Sequence, residues 1–203
     1  MGDISNSWLF PEEEWAVRNA VPKRRKEFAQ GRNCARRALA RLGLSPQAIP
    51  QGHGREPLWP PGVVGSITHC FGYTAAAVGL RDLVSGIGID AEPHEPLPSD
   101  TLGLIATKNE RDRISSSPTG IAWDRLLFSC KESTFKAWFP VTRQWLDFHD
   151  VEIVFDAGSS LFFPRLMLQE GTIPPSWLSN IAGRYALCSE LLITALTFTT
   201  AKD

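Results

Sequence analysis

Apolar residues recur at helical spacing from position 22 to 43, where Phe28, Cys34, Ala35, Ala38, Leu39 and Leu42 follow Pro22 and the run stops at Gly43. The pattern predicts a helix whose other face is basic, with Lys23, Arg24, Arg25, Lys26, Arg32, Arg36, Arg37 and Arg41. From 45 to 62 proline and glycine break every short run, so an irregular loop is expected there. Runs at 63–70, 73–80 and 84–92 carry strand-like patterning, the first two joined across Phe71 and Gly72, and they read as one sheet. Prolines 93, 96 and 98 then form a stiff linker. Beyond it, helices are predicted at 99–105 and 120–139 and strands at 151–155, 161–168, 184–190 and 191–199, the last four as a second antiparallel sheet. The order of helix, strands, helices and strands predicts an α+β fold in two halves, divided near residue 93, with no sequence repeat between them.

Composition narrows the picture without changing it. A 203-residue chain that is 43% hydrophobic and 21% charged can bury an ordinary globular core. A net charge of -1 gives no global field to draw nucleic acid or an anionic membrane, so any basic site is local. Cysteines 34, 70, 130 and 188 form no CxxC pair and read as free thiols in a reducing cytoplasm. No segment approaches the length of a membrane span or carries a targeting pattern.

Three segments carry candidate chemistry. In GIGIDAE, 86–92, alternation sends Asp90 and Glu92 to the same strand face, ~6.5 Å apart, close enough to share one hard cation. Taken alone, the segment reads more simply as a polar strand face. In FSCKESTFKAWF, 128–139, Phe128, Phe135 and Phe139 form an apolar stripe with Glu132 at its edge and Lys136 one turn on. A carboxylate flanked by aromatics needs a cation or a donor, so Asp90, Glu92 and Glu132 are a candidate three-carboxylate magnesium site, with Lys131 and Lys136 as charge for a phosphate. In VVGSITHC, 63–70, Thr68 and His69 end a strand and suit an anion or a base edge, although a packed structural histidine is the simpler reading in isolation.

The succession HGREPLWP (53–60), SITHC (66–70), GIGIDAE (86–92) and FSCKESTFKAWF (128–139) resembles the motifs of the Sfp-type phosphopantetheinyl transferases, closest to the actinobacterial branch that resembles the enterobactin synthase component. The resemblance covers about residues 24–139 and implies a fold of two similar-sized α+β halves in a pseudo-twofold arrangement, each a small antiparallel sheet with a long helix. It implies coenzyme A binding in 1–93, and the metal and phosphate helix with carrier docking in 94–203. By position, Asp90, Glu92 and Glu132 resemble magnesium ligands and Lys136 a phosphate-binding lysine, with Lys131 also on phosphate. Thr68 and His69 stand where the family holds the nucleotide phosphates, and Arg24 and Arg32 where it grips the 3′-phosphate. The chain departs from the family at the first motif, where Arg55, or His53 in its place, takes the role of the usual basic residue.

The implied reaction moves phosphopantetheine from coenzyme A to a serine of an apo acyl or peptidyl carrier protein, with Asp90, Glu132 and Lys136 at the chemical centre and Glu132 as candidate base. Leu102, Leu104, Lys108, Arg111 and Arg113 are the expected basic and apolar dock for the acidic carrier. The expected protein is a cytoplasmic monomer without nucleic-acid or membrane partners. A carboxylate-cluster magnesium phosphohydrolase and an inactive coenzyme A-binding protein are the two rival readings; the first leaves Arg24, Arg32 and His69 idle, and the second has no use for three carboxylates.

Overall fold

The computed structural model of the chain describes residues 8–70, 72–168, 181–188 and 190–199. Among them, α1 (Pro11–Glu14) and α2 (Pro22–Arg41) precede β1 (Val63–Cys70), β2 (Tyr73–Leu80) and β3 (Gly86–Pro93). Next come α3 (Thr101–Ile105), α4 (Lys108–Ser115) and α5 (Trp123–Thr142), then β4 (Val151–Asp156), β5 (Leu161–Leu166), β6 (Ala182–Cys188) and β7 (Leu191–Phe198). The predicted α+β class and the long helix on each sheet are both present. Phe71 of the expected β1–β2 connection and Ser189 of the expected 184–190 strand lie outside the described residues.

The grouping of strands differs from the sequence reading. β1 and β2 form a two-stranded antiparallel sheet, whereas β3 joins a five-stranded sheet in the order β3-β7-β6-β5-β4. β3 still lies against β1, but hydroxyls replace a ladder: Ser66 Oγ accepts from the Ile89 N–H and Thr68 Oγ1 from the Ala91 N–H, each at 3.1 Å. A strand edge met by side chains satisfies its donors as well as one met by another backbone. The sheets therefore meet along β3, the strand that carries Asp90 and Glu92.

Two apolar clusters hold these layers. Ala35 and Leu39 of α2 pack with Ile49 and Val63, and Leu126, Leu127, Cys130 and Trp138 of α5 pack on Ile153, Phe162 and Leu192 of the larger sheet. The fit of α5 on β3 depends on Gly88, because a Cβ there would sit 1.8 Å from the Ser133 carbonyl oxygen. That contact fixes Glu132 and Lys136 of α5 beside Asp90. α5 runs past the expected end at residue 139 to Thr142, with Pro140 in its last turn. α4 was absent from the expectation although its start is encoded: Thr107 and Glu110 form a reciprocal capping box at 3.2 and 2.8 Å. No helix among the described residues is long and apolar enough to cross a membrane.

Candidate functional site

A polar cavity of about 310 Å³ opens where α2, β1, β3 and α5 converge. Its wall takes Arg24 and Arg32 from α2, Thr68 and His69 from β1, Asp90 and Glu92 from β3, Glu132 and Lys136 from α5, and Arg55 from the loop before β1. All of the predicted site residues except Lys131 thus face one space. A second cavity of about 400 Å³ adjoins it, sharing Arg55, Pro57, Ile67, Glu132 and Lys136. That second space is aromatic: Phe135 stacks on Phe139 at 5.4 Å between ring centroids, and Trp145 meets Phe135 edge-on at 4.9 Å.

Asp90 is the most constrained of the three cavity acids, with only 4% of its surface exposed. Its Oδ1 accepts from Lys136 Nζ at 2.6 Å and from Thr68 Oγ1 at 3.1 Å, and its Oδ2 from Ser129 Oγ at 2.9 Å. Glu92 accepts from Arg125 Nη1 at 3.0 Å. Burial raises the Glu92 carboxyl above its ordinary range, the Asp90 charge adds to the rise, and Arg125 opposes it. Burial likewise raises Glu132, with Lys136 opposing and Asp90 and Glu92 reinforcing. The same acids help burial push the neighbouring Cys70 thiol up to about 11.

Among the described residues no three His, Cys, Asp or Glu side chains are drawn together as a ready-made metal site. The acids are instead neutralised by the chain's own cations, Lys136 on Asp90 and Arg125 on Glu92. Yet three hard oxygen donors that repel one another across one cavity wall form a donor set that a divalent cation would relieve. The chemistry of the site fits magnesium.

The opposite end of the cavity is cationic. Arg24 Nη1 donates to His69 Nε2 at 2.8 Å. Burial first, and then the Arg24 charge, lower the imidazole below its ordinary value, which keeps His69 an uncharged acceptor at neutral pH. Arg32 is 5% exposed and donates through Nε to the Ile49 carbonyl at 2.6 Å, with its guanidinium over the Phe28 ring. Burial lowers Arg32 to about 10, so it remains charged.

Two expected roles need correction. Lys131 was expected on phosphate, but it is 1% exposed and its ammonium donates to Glu110, the Ile105 carbonyl and the Phe148 carbonyl at 2.8, 2.8 and 2.7 Å. Those three bonds use all of its protons. Thr68 was expected to hold nucleotide phosphate, but its hydroxyl donates to Asp90 and accepts from Ala91, so it orients the carboxylate. Arg32 lines the cavity, while part of its fork anchors the loop at 49–50.

Ser129 and Arg125 were missed. Ser129 stands seven residues before Lys136 and Arg125 seven before Glu132, so each shares a helical stripe with a predicted residue. That periodicity was available in the sequence. The partner oxygen on β3 for either residue was not.

Similarity to known proteins extends along most of the chain. The model of the 4′-phosphopantetheinyl transferase N-terminal domain matches residues 12–79, and that of the 4′-phosphopantetheinyl transferase superfamily matches 86–188. The chain is 44% identical over 191 residues to the 4′-phosphopantetheinyl transferase PptT of Mycobacterium tuberculosis, covering 92% of this chain and 84% of that protein. It is 44% identical over 193 residues to Svp of Streptomyces mobaraensis, covering 94% and 78%. To Npt of Nocardia iowensis it is 40% identical over 199 residues, covering 93% and 88%. Both relatives carry the same enzyme description as PptT.

Proposed function

Since the chain belongs to the 4′-phosphopantetheinyl transferase superfamily, we propose that it moves the phosphopantetheine of coenzyme A onto a serine of an apo acyl or peptidyl carrier protein, at the junction of the two cavities. The observation that carries this is the shared wall. A polar space and an aromatic space meet at Arg55, Glu132 and Lys136, and coenzyme A has a charged nucleotide end joined through its pyrophosphate to an uncharged arm.

Magnesium held by Asp90, Glu92 and Glu132 would neutralise charge on the phosphates as the bond to phosphorus breaks. Lys136, between the cavities, adds a cation of the chain's own, and Arg24 with His69 faces the 3′-phosphate. The carrier serine oxygen bonds to the phosphorus that bears pantetheine. The bond from that phosphorus to the bridging oxygen breaks, and adenosine 3′,5′-bisphosphate leaves with that oxygen. The serine proton passes to Glu132, directly or through water, because Glu132 lines both cavities where they meet. Positioning and electrostatics supply the catalysis, as is general for phosphoryl transfer.

In this reading residues 1–93 supply the nucleotide side of the coenzyme A site together with Asp90 and Glu92, and 94–203 supply the metal and phosphate helix, the aromatic cavity and the carrier dock. Such an enzyme acts as a cytoplasmic monomer, and a net charge of -1 favours no nucleic-acid or membrane partner. The test is to incubate the protein with coenzyme A, magnesium and an apo-carrier and weigh the carrier. It gains one phosphopantetheine under this reading and loses that gain when the metal is chelated. Coenzyme A cleaved without carrier modification would favour the phosphohydrolase, and binding without turnover the inactive binding protein.

Arg24→Ala is expected to weaken coenzyme A by about 1.5 to 3 kcal/mol, the range for a hydrogen bond to a charged group, and dephospho-coenzyme A much less. Calorimetric titration of both ligands checks it; equal weakening would remove Arg24 from the 3′-phosphate. The carrier dock is expected on α3 and α4, where Leu104 is 71% exposed and Lys108 and Arg111 are exposed. Arg113 is ion-paired with Glu152 at 2.6 Å, whereas Arg111 donates to the Ala106 carbonyl at 2.5 Å, so Arg111 is the better probe because its reversal leaves that ion pair intact. Arg111→Glu should raise KM for the carrier and flatten its salt dependence, with coenzyme A affinity unchanged. A carrier KM unmoved at low salt would place the dock elsewhere.

A further inference from the structure

Glu56 is only 8% exposed, and its two carboxylate oxygens have different surroundings. Oε1 accepts from Arg143 Nη1, whereas Oε2 is enclosed with no hydrogen-bond partner. A buried carboxylate that is half satisfied works against stability, so its presence asks for a reason outside the core.

Its surroundings offer one. Residues 51–57 make a tight turn in which the Gly52 N–H donates to the Glu56 carbonyl at 2.8 Å and the Arg55 N–H to the Gly52 carbonyl at 3.0 Å. Gln51 Nε2 also donates to the Arg55 carbonyl at 3.2 Å. The turn forces Arg55 to φ 67, the left-handed region that a side chain of this kind rarely adopts. The turn sits directly on α5, since a Cβ on Gly54 would lie 2.2 Å from the Phe139 ring, and it closes tightly on itself, since one on Gly52 would lie 2.3 Å from Glu56 Oε1. Arg143, which ends α5 at φ 59, closes the contact from the other side. A residue in a sparsely populated conformation persists only where its neighbours over-determine it. Here the bonds of the turn and the ion pair of Glu56 with Arg143 lie on either side of Arg55, which lines both cavities.

We propose that Glu56 is a positioning residue for coenzyme A: paired with Arg143, it clamps the 51–57 turn to the end of α5 so that Arg55 stands at the junction of the two cavities. There the Arg55 guanidinium meets the pyrophosphate, the one anionic group of coenzyme A that lies between nucleotide and arm. The proposal rests on the reading that coenzyme A spans both cavities.

A double-mutant cycle on the full chain tests it, with the Kd of coenzyme A measured by calorimetry and steady-state KM alongside. Arg55→Ala is expected to raise the Kd about tenfold, the loss of one charge-assisted contact. Glu56→Ala should raise it by a similar factor, and the double variant by no more than about twofold beyond either single one, because Glu56 acts through Arg55. KM for coenzyme A should rise while KM for the carrier stays within about twofold, a split that a general loss of structure would not give. Arg143→Ala changes a side chain that is 58% exposed, keeps the experiment available if Glu56→Ala folds poorly, and should show the same non-additivity with Arg55→Ala. Additive effects, or a lower Tm with an unchanged Kd, would overturn the proposal. Wild-type protein that fails to bind coenzyme A would overturn the reading of the cavities themselves, and the proposal with it.

Discussion

Asp90→Asn is expected to lower kcat on the order of 10²- to 10³-fold, the scale for removing one preorganised electrostatic group, while the fold stays intact. The carboxylate stands on β3 under three donors, from Lys136, Thr68 and Ser129, and is almost fully buried. Asparagine can keep its oxygen toward Lys136 and Thr68 and turn its amide toward Ser129, whose hydroxyl accepts as readily as it donates. The shape and the hydrogen bonds then survive and the charge alone is lost. A neutral amide is also easier to bury than a carboxylate, so no large fall in Tm accompanies the loss. Ser129→Ala removes one support of the same carboxylate and should cost turnover about 10- to 100-fold, as other supporting groups around metal ligands do. Carrier mass against time gives kcat, and a thermal melt gives Tm. An Asp90→Asn protein that turned over within about tenfold of wild type at saturating magnesium would remove Asp90 from the centre.

The contrast between Asp90 and Lys131 shows what the sequence could express. Alternation in GIGIDAE and helical spacing in FSCKESTFKAWF place Asp90, Glu92, Glu132 and Lys136, because strand and helix periods decide which face a residue occupies. The fold needed to bring those faces together is also partly local, since Gly88 permits the close approach of α5 to β3. Whether β3 pairs with β1 or β7 is a different matter. That choice depends on strands more than a hundred residues apart, and on Ser66 and Thr68 hydroxyls taking the place of a ladder. A lysine one position from Glu132 lies about 100° round the helix, which carries it off the wall of the polar cavity to the edge of the aromatic one. Spacing alone warned of that. The existence of Glu110 on α4 as its partner could not be inferred without the tertiary fold.

Lys131→Met is accordingly expected to destabilise the protein by about 3–5 kcal/mol, the range for breaking a buried ion pair from one side. Glu110 would remain 1% exposed, still accepting from the Thr107 and Ile153 N–H groups at 2.8 and 2.7 Å but with its counter-charge gone. The Ile105 and Phe148 carbonyls would each lose a donor as well. Burial already lowers the Lys131 ammonium from its ordinary value, with Glu110 acting against the shift, so the pair is held by mutual need. Since a domain of ordinary stability has about 5–15 kcal/mol in hand, the variant should unfold at much lower urea and be handled in the cold. Adding Glu110→Gln removes the stranded charge and should recover part of the loss, with a coupling of about 0.5–3 kcal/mol between the two sites. A phosphate-binding lysine would behave in the opposite way, keeping the urea midpoint and losing coenzyme A. The structure therefore separates the two roles of neighbouring residues on α5. Lys131→Met should move the urea midpoint with little change in the Kd of coenzyme A for the folded protein, and a weakened Kd at an unchanged midpoint would restore Lys131 to the phosphate site.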